Sequence, residues 1–325
     1  MPKTSSEPAA PGRRVTLHGP AMGTRWSATL DAEVGMDLAA LQRDLAAAVT
    51  RVDEQMSPWK PASGLMQLNR APVDDWVDLP AEMLEVLACA LDVHRLSDGA
   101  FNPCLGALVD AWGFGPVRDL PDAQAIRAAH GSAPVHADQA LVLDRDAGRA
   151  RKRVPLQLDL CGIAKGYAVD LMAEVLQRHG GRHALLALDG ELRAVGAQAG
   201  AQPWAVALER PDAERRAVQG VIELQDMAVA TSGDYRRFVE VGRARLAHTM
   251  DPQRRAPVNN AVASVTVLAP SCMWADAWAT ALLVAGPTQG LALAQRLRLD
   301  VLFLMRDAQG LTALGLGRFG ASADH

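Results

Sequence analysis

The chain is short of cysteine and of aromatic residues, has no excess of positive charge and has no long apolar run. Each shortage removes a class of protein. Cys89, Cys104, Cys161 and Cys272 are scattered without a CxxC pair. So sparse a set is read as reduced thiols rather than a disulfide framework, and no zinc site is expected from it. Lys and Arg number 33 against 37 Asp and Glu, a net charge of -4, which argues against a general nucleic-acid binder. No run approaches the apolar length needed to span a bilayer, so no transmembrane segment is expected. The opening MPKTSSEPAAPGRR lacks the apolar centre of a secretory signal. The expected location is therefore cytoplasmic, or periplasmic if a signal has been removed. Aromatics make up only 4% of a chain that is 49% hydrophobic, so its core is chiefly aliphatic. At 325 residues there is enough of it for one large or two modest domains.

What is present alternates between strand-like and helix-like stretches without a regular repeat. Residues 1–13 read as a loose tail rich in Pro, Ala and Ser, and 14–325 as one compact domain. Val15 to Leu30 alternates apolar and polar positions, as a strand interrupted at Gly23. In Met36 to Met56, Leu38, Leu41, Leu45, Val49 and Val52 recur at spacings of three and four, which predicts an amphipathic helix ended by Ser57-Pro58. Pro80 starts a second helix, stopped at Ser97-Asp98-Gly99. Gly99 to Pro116 is a glycine-punctuated loop around a short helix, more core-like than ligand-binding on its residues alone. Strands are predicted at 140–143 and 154–158, with the charged run DRDAGRARKR between them as a solvated hairpin tip. Further strands follow at 183–189, 204–208, 218–224, 227–230 and 263–268. Helices at 275–285 and 289–297 and a last strand at 301–305 complete an α/β (α+β) pattern of mixed sheets flanked by helices.

Three features carry chemistry. LDLCGIAKGYAVD (Leu158 to Asp170) reads as a short strand, a glycine-bearing turn with Lys165, and a helix. Free N–H groups at a helix start, glycines that permit close approach and a nearby ammonium suit a phosphate or diphosphate. The turn is neither a P-loop nor GxGxxG. Asp276 and Thr280 lie four apart on a predicted helix and so share one face. Their oxygens suit Mg²⁺ rather than zinc, although such a pair is also common on a plain helix surface. His248, with Asp251 in AHTMDP, has the make-up of a general base at neutral pH, or of a structural histidine. Together the three form a coherent phosphoryl-transfer set.

The ordered blocks AMGT, SGLMQLN, GAFNPCLGALVDAWGFG, LDLCGIAKGYAVD, ATSGDYRRF, HTMDPQRRAPV and SVTVLAPSCMWADAWAT make the chain resemble the ApbE family of FAD:protein FMN transferases, from about Thr16 to Leu304. The resemblance implies FAD as substrate, with Met22 packed on the flavin and Gly64, Leu65 and Met66 lining its site. It also implies contacts to FAD from Asp159 and Lys165, and one from Asn102. Mg²⁺ would be held by the Gly162 carbonyl, Asp276 and Thr280, with His248 as the base. The implied reaction attaches FMN through a phosphodiester to a Ser or Thr of an acceptor flavoprotein and releases AMP. The chain departs from the family's pattern at Asn102-Pro103-Cys104, at Asp189-Gly190-Glu191 and at Arg255. Two other readings use the same residues: an FAD diphosphatase with water as acceptor, and a non-catalytic FAD-binding protein.

Overall fold

A computed structural model describes residues 13–131, 135–212, 215, 217–235, 238–241, 244–308 and 310–320. Strands β1 (Arg13–Ala21) and β2 (Thr24–Ala32) lead into α1 (Leu38–Met56), α2 (Gly64–Arg70), β3 (Val77–Asp78) and α3 (Ala81–Leu96). Next come α4 (Gly106–Ala111), α5 (Ala123–Gly131), α6 (Ala137–Ala140), β4 (Leu141–Asp144), β5 (Arg149–Lys152) and α7 (Ala164–Arg178). Strands β6 (Ala184–Leu188), β7 (Glu191–Val195), β8 (Trp204–Glu209), β9 (Val218–Leu224) and β10 (Ala228–Gly233) follow. Four short strands, β11 (Phe238–Val241), β12 (Ala244–Ala247), β13 (Met250–Asp251) and β14 (Ala256–Pro257), precede β15 (Val262–Ala269). The chain closes with α8 (Cys272–Arg296), β16 (Asp300–Asp307) and β17 (Gly310–Leu316).

The main sheet runs β1-β2-β6-β7-β10-β15-β16-β17, antiparallel at every junction. One face is covered by α7 against β6 and β7, and by α8 against β10 and β15, with α1 stacked on α7. On the other side the β8–β9 hairpin contributes Trp204, Val206 and Leu224 to a smaller cluster with Val229 and Leu268. Covered from both sides, β15 is buried along its whole length, which explains its mostly apolar VASVTVLA sequence; the buried Thr266 hydroxyl pairs with that of Thr231 at 2.8 Å.

Several expectations need correction. The tail lies almost wholly outside the described residues, and its predicted last residue, Arg13, already belongs to β1. The strand expected across 15–30 is a hairpin, β1 with β2, turning on Met22 and Gly23 at φ 50° and 73°. Two successive left-handed residues give the tight turn whose twist matches its strands. The segment 154–158 is not a strand. Its hydrogen bonds run instead to a side chain and a loop: Leu158 N–H donates to Asn69 Oδ1 at 2.7 Å, Asn69 Nδ2 donates to the Leu158 carbonyl at 3.0 Å, and Gly106 N–H donates to the Gln157 carbonyl at 2.9 Å. The strand lies earlier, in the charged run. There Arg149 and Arg151 each sit 4.6 Å from the Trp76 ring, and Lys152 is buried with its ammonium donating to the Asn69 carbonyl at 2.7 Å. Strand 301–305 is followed by one more, β17.

The two helices predicted after 275 are continuous in α8 across a kink at Gly286 (φ 73°) and Pro287. Among the described residues, α8 is long and apolar enough to match a spanning helix by length and composition, contrary to the expectation that no run approaches that length. Its residues Ala275 to Ala279 and Ala281 to Leu283 are buried under the sheet, so packing in the core explains its apolarity. All four cysteines are free.

Candidate active site

The motif helix α7 crosses α8 at Gly166, and the crossing is as close as two helices allow. A Cβ on Gly166 would lie 2.4 Å from the Cys272 carbonyl oxygen and 2.8 Å from the Asp276 Cβ. Gly166 N–H donates to Asp276 Oδ2 at 3.0 Å, so the contact also aims the carboxylate. One turn further along α7, Asp170 caps the start of α8: it accepts from Ser271 Oγ at 2.8 Å and from the N–H groups of Cys272 and Met273 at 2.9 Å. Arg193 holds Asp170 from the other side. A carboxylate at a helix start answers both the free N–H groups and the helix dipole. Asp276 is thereby fixed by two elements.

This crossing forms part of the wall of a cavity of about 1090 Å³, a volume that suits a dinucleotide-sized ligand. Met22, Asn102, Asp159, Gly162, Lys165, His248, Asp276 and Thr280 all line it. Residues spread over more than 250 positions of sequence thus meet in one cleft. Met22 reaches it from the left-handed turn, a backbone state that costs a side-chain-bearing residue about 1–2 kcal/mol and is commonly retained at functional positions.

Gly64, Leu65 and Met66 are not among the lining residues. Ser63 Oγ accepts from Met66 N–H at 3.1 Å and starts α2, Leu65 is fully buried, and Gly64 packs toward Met83 and the Gln55 carbonyl. The lining segment in this region is Ser57–Lys60, which Ser63 anchors by donating to the Ser57 carbonyl at 2.8 Å. Asn102 spends its amide on the local loop, accepting from Cys104 N–H and donating to the Val135 carbonyl, both at 2.9 Å. Asp251, paired with His248 in the sequence, accepts from the N–H groups of Gln253 and Arg254 at 2.8 and 3.0 Å and so shapes the following turn. The His248 ring meets Phe114 edge-on at 6.3 Å.

Asp276 is 3% exposed, and this burial pushes its carboxyl up to about 6, with Lys165 and Gly166 N–H partly offsetting the rise. Burial likewise raises Asp159, against the pull of Cys161 N–H, which donates to it at 2.7 Å. For Lys165, burial acts to lower the ammonium value, but the charges of Glu191, Asp276 and Asp189 outweigh it and raise the value overall. Glu191 was unmarked in the sequence beyond being a departure in a strand turn. It sits at the first residue of β7, where the Asp189-Gly190 turn delivers it beside Lys165. Asp170 gave no signal apart from ending the motif.

Thr280 Oγ1 lies 3.1 Å from Ser232 Oγ and would be 3.0 Å from a Cβ on Gly162. The Asp276 carboxylate, the Thr280 hydroxyl and the Gly162 backbone are therefore neighbours, and their oxygens are hard donors. Among the described residues no group of three His, Cys, Asp or Glu side chains could hold a metal. One carboxylate with neutral oxygens fits Mg²⁺, which keeps waters and takes its remaining ligands from substrate phosphates.

Comparison with known proteins identifies the family. The profile described as the ApbE family matches residues 22–303. The FAD:protein FMN transferase of Vibrio cholerae is 34% identical over 305 residues, covering 92% of this chain and 90% of that one. The FAD:protein FMN transferase of Salmonella typhimurium is 33% identical over 319 residues, covering 95% and 88%. Among solved structures, the flavin transferase ApbE from Vibrio cholerae superposes with a TM-score of 0.84 at 33% identity over 95% of this chain and 99% of that one. The apo flavinyl transferase ApbE from Pseudomonas stutzeri gives 0.85 at 34% identity over 98% and 100%. The chain belongs to the ApbE family, and it is an enzyme of the transferase class.

Proposed function

We propose that this chain is a Mg²⁺-dependent FAD:protein FMN transferase that joins FMN to a Ser or Thr hydroxyl of an acceptor flavoprotein. The observation that carries the reading is the single cleft lined by a candidate base, His248, and by the oxygen donors Asp276 and Thr280. In the proposed step the acceptor oxygen bonds to the FMN phosphorus while the bond from that phosphorus to the AMP phosphate oxygen breaks. AMP leaves with the electron pair. His248 takes the hydroxyl proton, the role a neutral imidazole fills near pH 7. Asp276, Thr280 and the Gly162 carbonyl would hold the divalent cation, which would supply electrostatic stabilisation of charge on the transferring phosphate. Met22 and the Ser57–Lys60 segment bound the part of the cleft left for the flavin.

The test is incubation with FAD, Mg²⁺ and a protein carrying a Thr-containing flavinylation motif. Flavin fluorescence that stays with the acceptor in a denaturing gel, with AMP released in equal amount, supports transfer. Free FMN and AMP without labelling identifies water as the acceptor instead, and FAD left intact removes both catalytic readings.

A further inference from the structure

The sequence sets the Lys165 ammonium at a turn suited to a diphosphate, but its surroundings in the fold are those of a neutralised cation. The ammonium donates to both oxygens of Glu191 at 2.8 Å and lies 3.6 Å from Asp189. The Glu191 side chain is 3% exposed and the Asp189 side chain 59%. Asp276 adds a third negative charge that acts on the same ammonium. Burial pushes the Glu191 carboxyl up, and the Lys165 ammonium, in two-point contact at 2.8 Å, pulls it back toward the ionised form. One cation is thereby shared among Glu191, Asp189 and Asp276 in the part of the cleft where the diphosphate would lie. Coulomb energies between partly buried charges about 4 Å apart are several times those in water, so this surplus matters. A diphosphate, itself doubly negative, meets a wall of its own sign.

We propose that Glu191 is a positioning residue that makes dinucleotide binding depend on the divalent cation. By holding the Lys165 ammonium against itself, it leaves the Asp276 side of the cleft net negative. The diphosphate of FAD is then accepted chiefly together with Mg²⁺, and bound diphosphate strengthens the hold on the metal by the same factor. Mg²⁺ rarely binds tightly to a single carboxylate without phosphate oxygens, so each ligand lacks a sufficient site until the other arrives. Affinities of the two are coupled reciprocally. The inference rests on the proposed function, since it takes FAD as the ligand.

The experiment measures the Kd of FAD by flavin fluorescence on the full chain, in EDTA and in saturating Mg²⁺, without any acceptor. For the unchanged protein, FAD binds at least about tenfold more weakly in EDTA. Glu191→Gln keeps the shape, removes one negative charge and frees Lys165 toward the diphosphate. Its affinity in EDTA rises, and the ratio of the two Kd values falls about tenfold. Glu191→Asp keeps the charge and retains most of the ratio. Asp189→Asn, at an exposed left-handed turn position (φ 58°) that asparagine tolerates well, lowers the ratio about two- to threefold and serves if Glu191→Gln does not fold. A ratio near one in the unchanged protein overturns the proposal. So does an unaltered ratio in Glu191→Gln, or in Asp189→Asn where that is the variant available. FAD that fails to bind under either condition overturns the proposed function and this proposal with it.

Discussion

The wall of the cleft that carries Asp276 and the wall that carries His248 are built differently. Asp276 stands on a buried helix whose start is capped by Asp170, whose neighbour Gly166 leaves no room for a methyl group, and whose position is set by two crossing helices. His248 stands just after the β11–β12 hairpin and just before the two-residue strands β13 and β14. Its local order comes from turn bonds such as those to Asp251. The comparison separates two kinds of site residue. Changes on the helix wall are expected to disturb folding and the proposed chemistry together, because the bonds that pack α7 on α8 also orient Asp276. Changes at His248 are expected to reach the proposed chemistry more than the helix packing.

The largest effect is expected at Asp276. Asp276→Ala removes the one carboxylate of the proposed metal set, and Mg²⁺-dependent transfer is expected to fall by at least about 10²–10³-fold. A Mg²⁺ titration of the transfer rate checks this, and an unchanged rate removes the metal assignment. Gly166→Ala comes next. Alanine favours helices over glycine by about 1 kcal/mol, yet here its methyl meets a backbone oxygen at 2.4 Å, and overpacking of this kind costs about 1–3 kcal/mol. Urea denaturation that finds the variant more stable contradicts the close crossing. Asp170→Asn keeps the shape and loses the charge that caps α8. A stability loss of about 1–2 kcal/mol is expected, accompanied by weaker Mg²⁺ binding in a calorimetric titration. Full retention of both means that the cap does not position Asp276.

The smallest effect is on pH. Burial raises Asp276 to about 6, so protons compete with the metal as pH drops through that value. Metal affinity then falls with a slope approaching about tenfold per pH unit, and a flat profile between pH 5 and 7 speaks against Asp276 as a ligand. The sign for stability is opposite to that of an ordinary salt-bridged carboxylate. The folded value lies above the ordinary 3.8, so in metal-free protein the favourable contribution of this group is greatest below that ordinary value. It is lost as pH rises through about 6.

Much of this arrangement was legible in the residues. The Leu41, Leu45, Val49 and Val52 stripe gave α1, and the alternating β-branched run gave β15, because burial on one face or on both leaves a periodic trace. The segment 154–158 misled for a physical reason. It is apolar and extended, but its backbone bonds go to Asn69 and to the loop at 103–106, which local sequence does not report. The same holds for the site. Asp276, Thr280 and Lys165 were visible as residue types at suggestive spacings. Glu191 and Asp170 act through partners 26 and more than 100 positions away in sequence, and only the packed fold brings those together. Gly64 to Met66 illustrate the converse: in the fold they form the first turn of α2, which Ser63 caps while anchoring the lining segment at Ser57.

The central claim is that His248 serves the chemical step while the helix wall holds the ligands. Single-turnover transfer by His248→Ala, measured beside its FAD affinity in Mg²⁺, tests it most directly. The account predicts an FAD Kd within about threefold of the unchanged protein and a transfer rate lower by about 10²-fold or more. A variant that loses FAD affinity but transfers bound FMN at the original rate contradicts it.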